Sequence, residues 1–322
     1  MYIPQFDPNR RLKVILDMDP GIDDALALLL ALCSPELEVV AITTVAGNAP
    51  AHMTATNALR VLEYLAVTDI AVARGAEQPI VRPLVHALDH HGPDGLAQCG
   101  LPPPSLPLHG TPAAELLARI VLDAPHQITL IATGPLTNVA IALRQWPELS
   151  KAIASLVLMG GAYGITRYGK GNQTPVAEFN IWQDPEAAQV VFSSGIDIIA
   201  VGLDVTTDPT ACMALQHVEQ LRRGQTRAAR LAARLAEYSV VRYTRCELHD
   251  PLALAVLLDV SLFQLRPALV DIITESGPER GRTRVRSLET TRESSRIRIA
   301  VGVDGPRFLE LFISRLLEAR YG

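Results

Sequence analysis

The segment Val14-Ile15-Leu16-Asp17-Met18-Asp19-Pro20-Gly21-Ile22-Asp23-Asp24-Ala25 constrains this chain more than any other. An apolar run that reads as a buried strand meets a Pro-Gly turn and passes at once into the apolar run 25–33, which reads as a helix. Four aspartates occupy that junction. Burying unpaired carboxylates is costly, so the junction requires a cation, protons or hydrogen-bond donors. A hard divalent cation of the Ca²⁺ or Mg²⁺ kind, held by oxygen ligands, is the simplest answer. Asp23 alone could be a helix cap. Asp17 and Asp19, two apart in a strand and so on one face, are not explained that way.

The same strand, turn and helix rhythm continues along the chain. Strands are predicted at 13–18, 39–45, 70–73, 128–132, 156–159 and 198–203, and helices at 24–33, 51–65, 113–122, 136–146 and 185–193. Alternation of this kind means right-handed βαβ units, hence an α/β fold with helices on both faces of an open, mainly parallel sheet. Continuously apolar strands fit a sheet covered on both faces. Three stretches interrupt the rhythm: 76–112, rich in proline and histidine; the glycine-rich 160–175; and the largely helical, Arg-rich 208–247. A loop as long as the first inside a compact domain is usually functional or disordered. With no repeat and no linker, a single domain over 1–322 is expected: a core at 13–270, then a hairpin and a final helix, 306–320, within 271–322.

Composition narrows the function. The 322 residues are 48% hydrophobic and carry a net charge of -5, which excludes a nucleic-acid surface as the main business. The arginines between Arg280 and Arg298 alternate with other residues and read as a solvated hairpin. Cys33, Cys99, Cys212 and Cys246 form no CxxC pair, so neither a zinc ribbon nor a disulfide framework is required. No apolar run spans a bilayer and no apolar signal core opens the chain, so a soluble cytoplasmic protein is expected, without membrane or nucleic-acid partners.

In open α/β sheets, ligands bind at the carboxyl ends of the strands. Those ends deliver the four aspartates, Thr44 to Asn48, Thr133 to Asn138, Met159-Gly160-Gly161 and Leu203-Asp204. Glu178 and Asn180 would face one way in an extended segment and suit sugar hydroxyls. His249-Asp250-Pro251 opens an apolar helix: Asp250 either caps it or completes the metal site, and His249 titrates near neutral pH. Phe179 and Trp182 read as core packing, and His90 and His91 as solvated loop residues.

These segments together resemble the nucleoside hydrolase family of the inosine-uridine preferring kind. Asp17 to Ala25 looks like its DxDPGxDDA signature. Ile42 to Asn48, His91-Gly92, Thr133 to Asn138, Leu158 to Gly161, Ala177 to Asn180, Asp184 to Ala188, Gly202 to Thr206 and His249 to Pro251 agree in order and spacing. The resemblance implies a Rossmann-like fold that binds one Ca²⁺ and hydrolyses the N-glycosidic bond of purine or pyrimidine ribonucleosides, in nucleoside salvage or catabolism. It implies Asp19, Asp24, Asp250 and the Thr133 carbonyl as metal ligands. Asp23, Asn48 and Asn180 would hold the 2′- and 3′-hydroxyls, Asn172 and Glu178 the 5′ end, and Met159 would pack on the ribose. His249 would lie near the leaving base and His91 on the far wall of its pocket. Relatives are commonly oligomers, so a homodimer or homotetramer is expected, with helix 227–241 as one possible packing element.

The chemistry agrees with that assignment. Breaking a ribosyl C–N bond builds an oxocarbenium-like state, which a carboxylate-rich floor stabilises. Ca²⁺ can hold the diol and orient a water, with Asp19 as general base and His249 as acid. The resemblance departs at Asp89-His90-His91-Gly92, so base preference stays open; Tyr238 and Tyr243 could also reach the base. Three rivals remain: a ribosyl hydrolase for a non-standard nucleoside, a non-catalytic nucleoside or ribose sensor, and a DxD phosphatase, which Pro20-Gly21 and the paired Asp23-Asp24 argue against.

Overall fold

The computed structural model describes residues 11–289 and 295–319. Its strands are β1 (Leu12–Met18), β2 (Leu37–Thr44), β3 (Ala71–Arg74), β4 (Ile128–Ala132), β5 (Ser155–Met159), β6 (Ile198–Val201), β7 (Phe263–Pro267), β8 (Leu269–Ile272), β9 (Thr283–Ser287) and β10 (Ile297–Val303). Eight of them form one sheet in the order β3-β2-β1-β4-β5-β6-β10-β7, parallel except for β7, which runs antiparallel to β10.

Side chains alternate across the strands and so feed two separate cores. In β1, Val14, Leu16 and Met18 face one core while Ile15 faces the other. The first core is covered by helices Ile22–Leu32, Ala51–Tyr64, Arg227–Tyr243, His249–Leu258 and Gly305–Leu317. The second is covered by Ala113–Asp123, Thr137–Gln145 and Pro185–Phe192. From β1 the chain winds outward through β2 and β3, then returns to β4 on the other side of β1 and winds the opposite way. The segments leaving the carboxyl ends of β1 and β4 therefore part at a topological switch point, where open α/β sheets form their ligand crevice.

The tail differs from the expectation. β10 lies inside the main sheet, next to β6, so a core ending at 270 does not describe the sheet. The reason is burial on both faces: Ile297 and Ile299 pack into one core and Ala300 into the other. The hairpin is β8 with β9, and Arg298 belongs to β10 rather than to a solvated hairpin. The final helix is Gly305–Leu317, and the expected end at Arg320 lies outside the described residues. β6 stops at Val201, and Leu203–Thr206 is already a helical turn.

The long segment 76–112 contains the helical turn Leu88–His91 and is tied to the body of the protein. The Ile80 amide donates to Asp184 at 2.9 Å, and the Val85 amide donates to Gln183, whose own amide donates back to the Val85 carbonyl. In helix Arg227–Tyr243 the residues Ala228, Leu231, Ala232, Leu235 and Ala236 are buried within the chain's own core. Its apolar face is thus taken up internally rather than offered to another subunit. Among the described residues, no helix is long and apolar enough to cross a membrane.

Candidate active site

Two helices bring distant acids together. Ile22–Leu32 and His249–Leu258 are apolar around almost their whole circumference, so each must be enclosed, and they pack against one another. Both begin on the crevice rim. As a result one carboxylate oxygen from each of Asp23, Asp24 and Asp250 falls within 4.8 Å of the others. Asp250 sits inside the first helical turn, after Leu248 at the cap position, and is not the N-cap. Two unit charges at this spacing repel by roughly 3 kcal/mol at an effective dielectric constant of about 20. Burial, followed by repulsion from Asp23, raises the Asp24 carboxyl to about 6. Burial also lifts Asp250 well above its ordinary range, reinforced by Asp23, Asp24 and Asp19.

Backbone and side-chain donors fix these acids. Asp24 accepts from the Asp19 and Gly21 amides, from Asn48 Nδ2 at 3.1 Å and from Thr133 Oγ1 at 2.8 Å. Asp19 is fully buried. Its Oδ2 accepts from the Asn48 amide at 2.6 Å, while its Oδ1 is buried with no partner. Gly47 and Gly134 close on it from the ends of β2 and β4. A Cβ on Gly47 would fall 2.1 Å from Oδ2, and one on Gly134 2.7 Å from Oδ1. Asp19 lies outside the trio of converging oxygens, although Asp24 acts on it electrostatically. Asp17 belongs to the support beneath: its Oδ1 accepts from Thr43 at 2.6 Å and Asn138 at 2.8 Å.

A cavity of about 520 Å³ opens above the trio, within the range of small-molecule sites. Asp23, Asp250, Asn48, Thr133, Met159, Asn172, Glu178 and Asn180 all line it. Glu178 itself is extended, but Asn180 already lies in helix Phe179–Gln183, so the two do not share one extended segment as expected from sequence; Glu178 caps that helix, accepting from the amides of Gly161, Asn180 and Ile181. Asn180 Nδ2 donates to the Thr133 carbonyl at 2.7 Å, tying the β4 loop to this helix. Asn172 Oδ1 accepts from the Phe179 amide. Phe179 also lines the cavity, and Trp182 is half-buried beneath the Arg280 guanidinium, so neither is core.

The opposite wall carries histidines. His91 Nδ1 accepts from the Ile22 amide at 3.0 Å, which places its proton on Nε2; burial lowers its pKa to about 4. His249 Nδ1 lies 2.8 Å from Thr206 Oγ1, and its Nε2 lies 3.3 Å from Glu247 Oε2. Burial opposes charging His249, but Glu247, then Asp23 and Glu178, raise its pKa above the ordinary value. Burial likewise opposes charging Glu247, yet His249 and Arg245 hold it at about 2. At the mouth, Tyr243 and His90 meet, hydroxyl to Nδ1 at 3.3 Å, and both line the cavity. Tyr238 does not reach it; its ring stacks under Arg242. Sequence reasoning did not single out Glu247, Thr206 or Arg245. The available signal is the spacing of Glu247 and His249, two apart.

The donor set suits a hard divalent cation. It offers only oxygens, it is buried, and Asp19 Oδ1 and Asp23 Oδ1 have no hydrogen-bond partner. Residues 14–310 match the family described as inosine-uridine preferring nucleoside hydrolase. The chain is 41% identical over 312 residues to a pyrimidine-specific ribonucleoside hydrolase RihA from Salmonella arizonae, covering 95% of this chain and 98% of that one. It superposes on a purine-preferring ribonucleoside hydrolase from Gardnerella vaginalis with a TM-score of 0.87 at 33% identity, covering 94% and 98% of the two chains. An inosine-uridine preferring nucleoside hydrolase from Bacillus anthracis, 23% identical over 95% and 99% of the two chains, shares the fold with a TM-score of 0.75.

Proposed function

The chain belongs to the inosine-uridine preferring nucleoside hydrolase family, and from that premise we propose that it hydrolyses the N-glycosidic bond of ribonucleosides to ribose and free base with Ca²⁺ as its ion. The observation that carries this reading is the meeting of Asp23, Asp24 and Asp250 at the floor of a cavity that amides and histidines help to line. Asp24 and Asp250 would hold the ion, with Asp19 and the Thr133 carbonyl alongside. Bound there, Ca²⁺ supplies a fixed charge for oxygen ligands and acidifies a water.

The chain's own residues supply the rest. Asp23, Asn48 and Asn180 hold the 2′- and 3′-hydroxyls, Asn172 and Glu178 the 5′ end, and Met159 packs on the ribose. Asp19, with an oxygen free of protein partners, takes the proton of a water whose oxygen bonds to C1′ opposite the base. The electron pair of the C1′–N bond leaves with the base, and His249 gives the base a proton. The acidic floor stabilises the oxocarbenium-like charge between these events, and the product is inverted at C1′. His91, a neutral donor, faces the base from the far wall.

Pyrimidine ribonucleosides are the first candidates, because identity is higher to the pyrimidine-specific relative than to the purine-preferring one. The four cysteines are free and buried, which favours a reducing cytoplasm. The resemblance to the family favours a homodimer or homotetramer, which light scattering on a sizing column tests. The decisive assay is reducing-sugar release over a panel of purine and pyrimidine ribonucleosides, with and without a Ca²⁺ chelator. Release that stops with the chelator and returns with Ca²⁺ is expected. No release from any ribonucleoside, or release indifferent to the chelator, overturns the reading.

A further inference from the structure

Both ring nitrogens of His249 are occupied by protein groups that no part of the acidic floor provides. Nδ1 faces inward to the hydroxyl of Thr206, a buried residue at the end of the helical turn that follows β6. Nε2 faces the cavity and the half-buried Glu247 carboxylate at 3.3 Å. The other oxygen of that carboxylate, Oε1, accepts from Arg245 Nε at 3.2 Å and Nη2 at 2.7 Å. The stretch itself is anchored, since Cys246 and Met213 exchange both backbone hydrogen bonds across an isolated bridge. The imidazole is therefore gripped at its inner edge by one element and at its outer edge by another.

We propose that Glu247 and Thr206 are positioning residues that orient His249 so that its Nε2–H is delivered to the departing base. The inference rests on His249 acting as the acid in the proposed reaction. Thr206 fixes the plane of the ring from inside the fold. Glu247 accepts from Nε2 until the base is bound; the proton then passes to a base ring nitrogen or oxygen as the C1′–N pair leaves, and His249 regains a proton from water. Glu247 stays a carboxylate throughout, and Arg245 keeps it from swinging over the substrate. A plain surface ion pair would be worth little. This one differs because its outer partner and its target share one cavity wall, and because the inner edge of the same ring meets a buried hydroxyl.

The test uses leaving groups. Uridine needs a proton on its base, whereas p-nitrophenyl β-D-riboside expels a stable phenolate without one. The readout is the ratio of kcat for uridine to kcat for p-nitrophenyl riboside, with KM measured for both. Glu247→Gln and Thr206→Val are each expected to lower that ratio by about tenfold or more, and Glu247→Asp to recover part of it. A parallel fall on both substrates, or no fall on either, overturns the inference. His249→Ala separates this from the parent reading: it should lower the ratio by about a hundredfold or more. If it does not, His249 is not the acid, and the parent assignment fails first. If it does while Glu247→Gln and Thr206→Val leave the ratio intact, only the positioning inference falls.

Discussion

The floor of the cavity and its mouth are built on opposite principles. The floor is made of carboxylates delivered by buried apolar helices, wedged by glycine backbones and fixed by amide donors, so its geometry follows from the core. The mouth is made of side chains from two surface segments, His90 on one and Tyr243, Arg245 and Glu247 on the other, joined across by the single contact of His90 with Tyr243. A change at the floor should act on every substrate alike, and a change at the mouth should depend on which base is leaving. Shared sugar chemistry is thus set by the fold, and base handling by what decorates it.

The strongest break of this contrast is at the floor. Asp250→Asn should reduce turnover on the order of a thousandfold, equally for uridine, inosine and p-nitrophenyl riboside. Unequal losses would mean that Asp250 handles the base instead. Next in size is the glycine wedge. Gly134→Ala forces a Cβ against Asp19 and should destabilise the protein by about 1–3 kcal/mol in urea unfolding, whereas Gly110→Ala, which meets nothing within 4 Å, should be neutral. Equal effects of the two would remove the wedge from the account. At the mouth, Tyr243→Phe and His90→Ala should change KM only severalfold, and differently for uridine and inosine. A uniform change would erase the distinction between mouth and floor.

The smallest effect is electrostatic. With its folded pKa held at about 2 by His249 and Arg245 against the cost of burial, Glu247 adds stability above its unfolded pKa that is lost as pH falls through the folded one. The stability gap between wild type and Glu247→Gln should therefore be full above pH 4.5 and narrow as pH falls towards 2. A gap that widens on acidification contradicts the ion pair.

The same contrast explains what was legible in the sequence. β1 to β6 can be read because continuous apolar runs punctuated by Gly, Asp and Asn describe strands buried on both faces, and their carboxyl ends name Asp23, Asn48, Thr133 and Met159 of the cavity wall. β10 reads from sequence as part of a hairpin because pairing parallel to β6 is a long-range choice that no local pattern records. β7 does not stand out although Phe263, Leu265 and Pro267 alternate with Gln264 and Arg266, because the run is only five residues long and ends in a proline. Asp250 reads from sequence as either a cap or a metal ligand, and packing between two apolar helices places it beside Asp23 and Asp24. Glu247 went unread because a glutamate near an arginine is ordinarily a solvated pair; only the cavity reveals that its second oxygen faces His249.

The central claim, that acids from two ends of the chain gather around one hard divalent cation, is tested most directly by calorimetric titration of Ca²⁺ into chelator-stripped protein. The account predicts one site per chain in the wild type and its loss or severe weakening in Asp24→Asn and Asp250→Asn, with both variants shown to be folded. No binding to the wild type, or unchanged binding in both variants, would contradict it.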